Sequence, residues 1–334
     1  YSLINQGLIK GLDVVGLVDL DSKLVQKYSS KYHCPGFSSI AEAIDSLSPD
    51  LVVILTPSSL HYSQALLSLE QGCNVLVEKP LAMRVGQAED LHRLASSKNL
   101  FLGVAFQNRF NPAILALKSC MDNDMLGTIV SASVRLRWCR EQSYYEDDWH
   151  GRWISDGGVI NQQAIHHIDA MQWILGPVDS VCATYTNRVN KLEAEDTLVG
   201  IVRFVNGALA TIETTTAARP QDMEASLSVV GSTGYFSVGG IALNHVTGCS
   251  FVDRSVNTAS LIDDNSVDVP TGYGLSHVQL LNAAVNTIAN GTKFIVDTAS
   301  TIATTKLIHS LYASAETSQW VALCDNLESS LLGL

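Results

Sequence analysis

The chain has 334 residues, a formal net charge of −12, and 16% charged against 46% hydrophobic residues, enough to bury a large core and build two domains. An acidic chain without basic runs is a poor partner for nucleic acid or anionic membranes; no apolar run reaches the roughly 18 residues of a membrane span, and the opening residues do not read as a charged-then-apolar signal peptide. Its seven cysteines are scattered and never form a C-x-x-C pair, which suits reduced thiols in the cytoplasm better than a disulfide framework or a zinc site.

In chain order, residues 1–12, with Leu3, Ile4, Leu8 and Leu12, read as the end of a helix. Residues 14–18 form an apolar strand that stops at Asp19, and a polar helix spans Ser22–Tyr32. Residues 51–55 are a second strand, followed by the turn Thr56-Pro57-Ser58-Ser59 and a helix to Glu70. Asn74–Val77 is a third, closed by Gly72 and Pro80; a helix over Val85–Ser97 and a strand at 101–104 follow. Strands alternating with helices of this length predict a doubly wound parallel sheet over residues 1–105. From residue 106 the pattern changes. A helix at 111–123 precedes longer alternating strands at 128–138, Val178–Thr186, Thr197–Phe204, 208–215 and 225–230, punctuated by glycines. Residues 106–334 therefore read as an α+β domain with an open, mostly antiparallel sheet.

Three positions carry chemistry. Lys79 lies at a strand's carboxyl end, where ligands bind in open α/β sheets; it suits proton transfer or holding an oxygen, and equally a solvated pair with Glu78. Asp19 can accept both ribose hydroxyls of an adenine nucleotide and repel a 2'-phosphate, which favours NAD over NADP, or it is an ordinary strand-end acid. The third position is a helix framed by glycines over residues 157–176. Its core stripe is Ala164, Ile168, Met171 and Leu175, and Gln162, His166, Asp169 and Trp173 share the other face, as a polar pocket wall or as plain surface.

The runs Thr56 to His61, Glu78-Lys79-Pro80-Leu81-Ala82 and Gln107 to Pro112, together with the Gly157 to Asp169 segment, resemble the Gfo/Idh/MocA family of NAD(P)-dependent oxidoreductases from about residue 12 to residue 323. The resemblance implies a Rossmann-type nucleotide domain followed by a domain whose open sheet packs on a partner subunit. It makes Lys79 the catalytic lysine and His166 the acid/base histidine beside the substrate hydroxyl. It sets Asp19, Thr56, Pro57, Ser58, His61, Glu78, Lys79 and Gln107 against NAD, with Trp149, Arg152 and Trp153 near the nicotinamide. Arg109, Gln162 and Asp169 become substrate contacts, with Arg109 able to fork onto a carboxylate or phosphate or, equally, to serve in a structural salt bridge. Tyr144, Tyr145, Asp196 and His277 suit structural roles better. Where the family often has Asp or Asn, this chain has Gln162. An amide cannot take a proton, so proton chemistry moves to Lys79 and His166.

The expected function is an NAD-dependent oxidoreductase interconverting a secondary hydroxyl and a ketone on a sugar, sugar derivative or nucleotide sugar, with no metal. A lyase or hydrolase using bound NAD for transient oxidation, and a sugar or nucleotide sensor, are the alternatives. Alternation in Thr197–Phe204 puts Leu198, Gly200, Val202 and Phe204 on one side, expected to be the uncovered face of the sheet and hence buried in a homodimer or homotetramer. A dinucleotide fold also needs a first strand and a G-x-G-x-x-G turn about 20 residues before the ribose acid. Neither occurs before Asp19, so the sequence reads as an N-terminally truncated chain that binds NAD weakly.

Overall fold

The apolar runs of the N-terminal half form two separate parallel sheets in a computed structural model, which describes residue 4 and residues 6–334. β1 (Leu17–Val18) pairs with β2 (Gly36–Phe37), while β3 (Leu51–Ile54), β4 (Asn74–Val77) and β5 (Leu102–Val104) make the other sheet. The connecting helices are α1 (Ser22–Tyr32), α2 (Ile40–Leu47), α3 (His61–Glu70) and α4 (Val85–Ser97). Asp21 starts α1 by accepting from the amides of Lys23 and Leu24. Lying between two strands and under helices, β4 buries Val75, Leu76 and Val77 almost completely. Among the described residues no strand joins the two sheets, and Val18, Val53 and Leu55 keep 44%, 41% and 72% exposure.

One expectation holds only in part at the start. Residue 4 is helical, but residues 6–9 are turns and bends, and residues 1–3 and 5 lie outside those described. Asn282 ties this stretch down, donating to the Leu8 carbonyl at 2.9 Å and accepting from the Lys10 amide at 3.2 Å.

The second half is an eight-stranded sheet in the order β12-β11-β10-β6-β9-β8-β7-β13, parallel only between β6 (Ile129–Arg137) and β9 (Leu209–Thr215). Its other strands are β7 (Val178–Thr186), β8 (Thr197–Phe204), β10 (Glu224–Gly231), β11 (Gly234–Gly239), β12 (His245–Phe251) and β13 (Val321–Ala322). Helices α5 (Pro112–Asp122), α6 (Val159–Gln162) and α7 (Ile165–Leu175) precede β7. Helices α8 (Thr258–Asp264), α9 (His277–Asn290) and α10 (Thr298–Thr317) follow β12. The two faces of β8 are the reverse of the sequence expectation. Leu198, Val202 and Phe204 are 0–3% exposed, and a Cβ on Gly200 would stand 3.2 Å from Leu311 of α10, so this is the helix-covered face. Val199 and Ile201, 48% and 45% exposed, point to the open side.

Candidate active site

Every parallel strand from β1 to β5 except β2 delivers a polar residue to the same edge of the N-terminal half. Asp19 follows β1, Thr56 and Ser58 follow β3, Glu78 and Lys79 follow β4, and Gln107 opens the turn Gln107–Phe110 after β5. Asp19 is exposed, with Oδ1 accepting from the Asp21 amide at 2.9 Å. Gln107 is 4% exposed, yet its Oε1 meets no donor among the described residues. A buried acceptor left open costs about 1–3 kcal/mol, so a ligand donor is its natural complement.

Lys79 Nζ is held by one residue from the second half. It donates to the Gln162 carbonyl at 2.9 Å and to the Gln162 side-chain oxygen. Burial lowers the basicity of this amine below the ordinary 10.5, with the charges of Asp156 and Glu78 pulling the other way. His166 lies edge-on to Phe106, ring centroids 5.7 Å apart, with Nδ1 buried and unpartnered. Burial first, then the charges of Lys79, His167 and His277, push it well below 6.5. Lys79 and His166 thus lie within electrostatic reach of one another, and His166 is neutral at physiological pH.

The framed helix is broken. Val159 O accepts from both the Gln163 amide at 3.1 Å and the Ala164 amide at 2.8 Å, a one-residue widening that separates α6 from α7. Gly157 (φ +72°) and Gly158 make the turn before it, and a Cβ on Gly158 would stand 1.9 Å from Glu195 Oε2. Gln162 and Asp169 consequently do not share a face. Asp169 is 1% exposed and takes Arg109 in a bidentate pair at 2.8 and 2.6 Å, with Thr304 Oγ1 donating at 2.9 Å. Arg109 also donates to Ile295 O and Ser300 Oγ. Both groups are spent on each other in the core, which is the salt-bridge alternative for Arg109 and corrects the expectation that Asp169 binds substrate. His61 is likewise 1% exposed, its ring nitrogens 2.7 Å from Pro80 O and 2.9 Å from Thr56 O, so it staples the two turns instead of touching a nucleotide. The half-buried Trp153 ring packs on Tyr312 and Tyr185, and its carbonyl accepts from the Gly333 amide.

Two spans of the chain match models of one family. Residues 5–106 match the oxidoreductase family with an NAD-binding Rossmann fold, and residues 114–237 match the GFO/IDH/MocA C-terminal domain. The chain belongs to the Gfo/Idh/MocA family. Among relatives of this oxidoreductase, D-glucoside 3-dehydrogenase of Escherichia coli is 26% identical over 330 residues, covering 93% of this chain and 90% of that one. Glucose-6-phosphate 3-dehydrogenase of Bacillus subtilis is 27% identical over 67% of this chain and 66% of its own. The WlbA dehydrogenase of Bordetella pertussis, solved with NADH and UDP-GlcNAcA, superposes with a TM-score of 0.85 at 27% identity, covering 96% and 95% of the two chains. The family member described here is an NAD-dependent dehydrogenase acting on CH–OH groups.

This Gfo/Idh/MocA chain also holds site residues that sequence reasoning missed. Asp156 is 1% exposed, with Oδ2 accepting from the Gly151 amide at 2.9 Å and Oδ1 unpartnered; burial pushes its carboxyl up to about 7 against the pull of that amide and of Lys79. His150, in the irregular stretch between β6 and α6, lies near Lys79. The acid directly before Gly157-Gly158 was the only available signal. Tyr144 and Tyr145 line the same region, and Asp196 caps a loop by accepting from the amides of Arg188, Val189 and Asn190.

Proposed function

We propose that the pocket oxidises a secondary hydroxyl of a sugar, sugar derivative or nucleotide sugar to a ketone, with Lys79 as base. The supporting observation is the state of Lys79: a buried amine whose acceptors, both on Gln162, are neutral. Such an amine sheds its proton far more readily than a solvated lysine, and a general base of this kind must be neutral to act. Asp19, Thr56, Pro57, Ser58, Glu78 and Gln107 hold NAD along the strand edge, with the open Gln107 Oε1 fitting a cofactor donor. NAD, when bound, supplies the hydride acceptor. Lys79 takes the hydroxyl proton, neutral His166 orients the same oxygen, and Gln162 keeps the amine aimed. Sugar-acting relatives support the substrate class. The seven free cysteines suit a reducing compartment such as the cytoplasm.

The open sheet face carries Val199 and Ile201 beside an ion-pair ladder of Arg135, Arg137, Glu213 and Glu224. We read it as the surface of a homodimer or a tetramer of dimers, and a monomer mass by light scattering would contradict that. For the activity, the purified chain is incubated with NAD and a sugar panel while nicotinamide absorbance is followed. Net NADH is the expected result. Product without net NADH would replace the reading with transient oxidation, and saturable binding without turnover would replace it with a sensor.

A further inference from the structure

Oxidation of a hydroxyl releases a proton, and Lys79 must lose it before the next turnover. Lys79 sits under Gln162, so an outlet has to come from a group that meets both this pocket and water. His150 lies within electrostatic reach of Lys79 and is bonded to the half-exposed Asp147. Its Nδ1 lies 2.5 Å from Asp147 Oδ2, and Asp147 Oδ1 accepts from the amides of Trp149 at 3.2 Å and His150 at 2.9 Å. A carboxylate on Nδ1 fixes the proton there and leaves the lone pair on Nε2, which no described residue engages. The ring is clamped between Trp149, centroids 3.6 Å apart, and Tyr144, 4.1 Å apart.

The segment is anchored to the surroundings of Lys79 at two points. The amide after His150 donates to Asp156 Oδ2 at 2.9 Å, and Tyr144 OH accepts from Gln163, the neighbour of Gln162, at 3.4 Å. At the other end the Asp147 side chain is 42% exposed, so the dyad reaches water. The charged groups around the ring are Asp147 from its own segment and Lys79 from the turn after β4, with Arg140 and Asp156 beyond Tyr144. Burial outweighs the pull of Asp147 and holds the imidazole below 6.5, neutral and able to accept.

We infer that the His150–Asp147 dyad carries the substrate proton from Lys79 to solvent. This rests on the hydroxyl-oxidising reading above. The O–H bond breaks and its proton joins Nζ; the electron pair left on oxygen forms the carbonyl as the C–H pair leaves as hydride to the nicotinamide. The ammonium then loses that proton across solvent in the cleft to His150 Nε2, giving an imidazolium beside the Asp147 carboxylate, and the imidazolium passes it to water. One proton leaves per turnover, and Lys79 is neutral again. A histidine that only packed the loop would need neither the fixed tautomer nor the open Nε2.

The test is buffer rescue in the oxidation direction, on the full chain with NAD and a sugar the wild type turns over. At constant pH and ionic strength His150→Gln should lose about 10-fold or more in kcat in weak buffer, with KM for sugar and NAD nearly unchanged, and added imidazole should restore the rate. The wild type should not respond to imidazole. Asp147→Asn, at a half-exposed carboxylate, should show a smaller loss and the same rescue, and it decides the matter if His150→Gln is unfolded at the assay temperature. A variant with wild-type kcat, a loss that imidazole does not repair, or a change in KM alone overturns the inference. Absence of wild-type turnover on every sugar would sink the hydroxyl-oxidising reading itself, whereas wild-type turnover with buffer-insensitive variants would sink only the dyad.

Discussion

Two cationic side chains, half-buried Lys79 and fully buried Arg109, are held by the two halves of one broken helix, and they differ in what holds them. Lys79 rests on the neutral oxygens of Gln162 in α6; Arg109 rests on the Asp169 carboxylate in α7, with Ser300, Thr304 and Ile295 completing the shell. Neutral acceptors leave a buried amine free to lose its proton, while a carboxylate around a guanidinium fixes a permanent charge. The first cation is available for chemistry and the second for architecture. His167, two residues before Asp169, extends the contrast: it is 1% exposed, with no acceptor or donor at either ring nitrogen among the described residues.

The largest expected effect comes from unbalancing the architectural pair. Asp169→Asn strands a buried guanidinium and should cost about 3–5 kcal/mol of stability in denaturant melts; a loss below about 1 kcal/mol would mean the pair is not the keystone its burial implies. Next comes His167, which burial holds at about 4 against an ordinary 6.5. Between those values the unfolded chain binds a proton that the folded chain refuses, so stability falls as pH drops from 6.5 to 4, by about 3 kcal/mol. His167→Phe should remove that loss, and the gap between variant and wild type should widen in the variant's favour on going from pH 7 to pH 4. A constant gap would refute the assignment.

The effect at Lys79 should be about as large but read in rate, with Lys79→Ala lowering kcat by about 10²-fold or more while the melt is retained. Lys79→Arg should do no better, because a guanidinium cannot accept a proton; an active arginine variant would move the base elsewhere. The smallest change sharpens the contrast most directly. Gln162→Glu gives Lys79 the kind of partner Arg109 has. Its pKa should rise, moving the alkaline-going limb of kcat/KM up by about one pH unit, and an unmoved limb would show that Lys79 is not the titrating group.

The legible parts of the chain were those with a pattern of their own. Asn74–Val77 was marked by an apolar run, a bounding glycine and a proline, and its observed ends, like those of Val85–Ser97, agree with the reading. Lys79 and His166 follow from those marks and from the family resemblance. The Arg109–Asp169 pair did not, because its members are sixty residues apart and spacing within one helix cannot reveal a partner elsewhere. The widening at Gln163 and Ala164 is a choice of backbone acceptor with no residue type to announce it. In β8 the alternation was clear, yet a period of two divides a strand into faces without saying which is inside. Asp156 and His150 lie in irregular chain, where no period exists to aim a side chain.

The helix α10 sets how the cleft can move. Along its length it binds the parallel half through His309 Nε2 to Met83 O at 2.9 Å, the core pair through Thr304 to Asp169, the mixed sheet through Ser314 to the Ala183 amide, and the chain leading into β8 through Tyr312 to Glu195. A single helix fastened to both halves should hold back the hinge motion that many two-lobed enzymes use to close on a ligand. Admission and release then fall to the stretch between β6 and α6, the segment that carries Tyr144, Trp149 and His150. Breathing on the microsecond-to-millisecond scale should be confined to those residues, and the two halves should travel together.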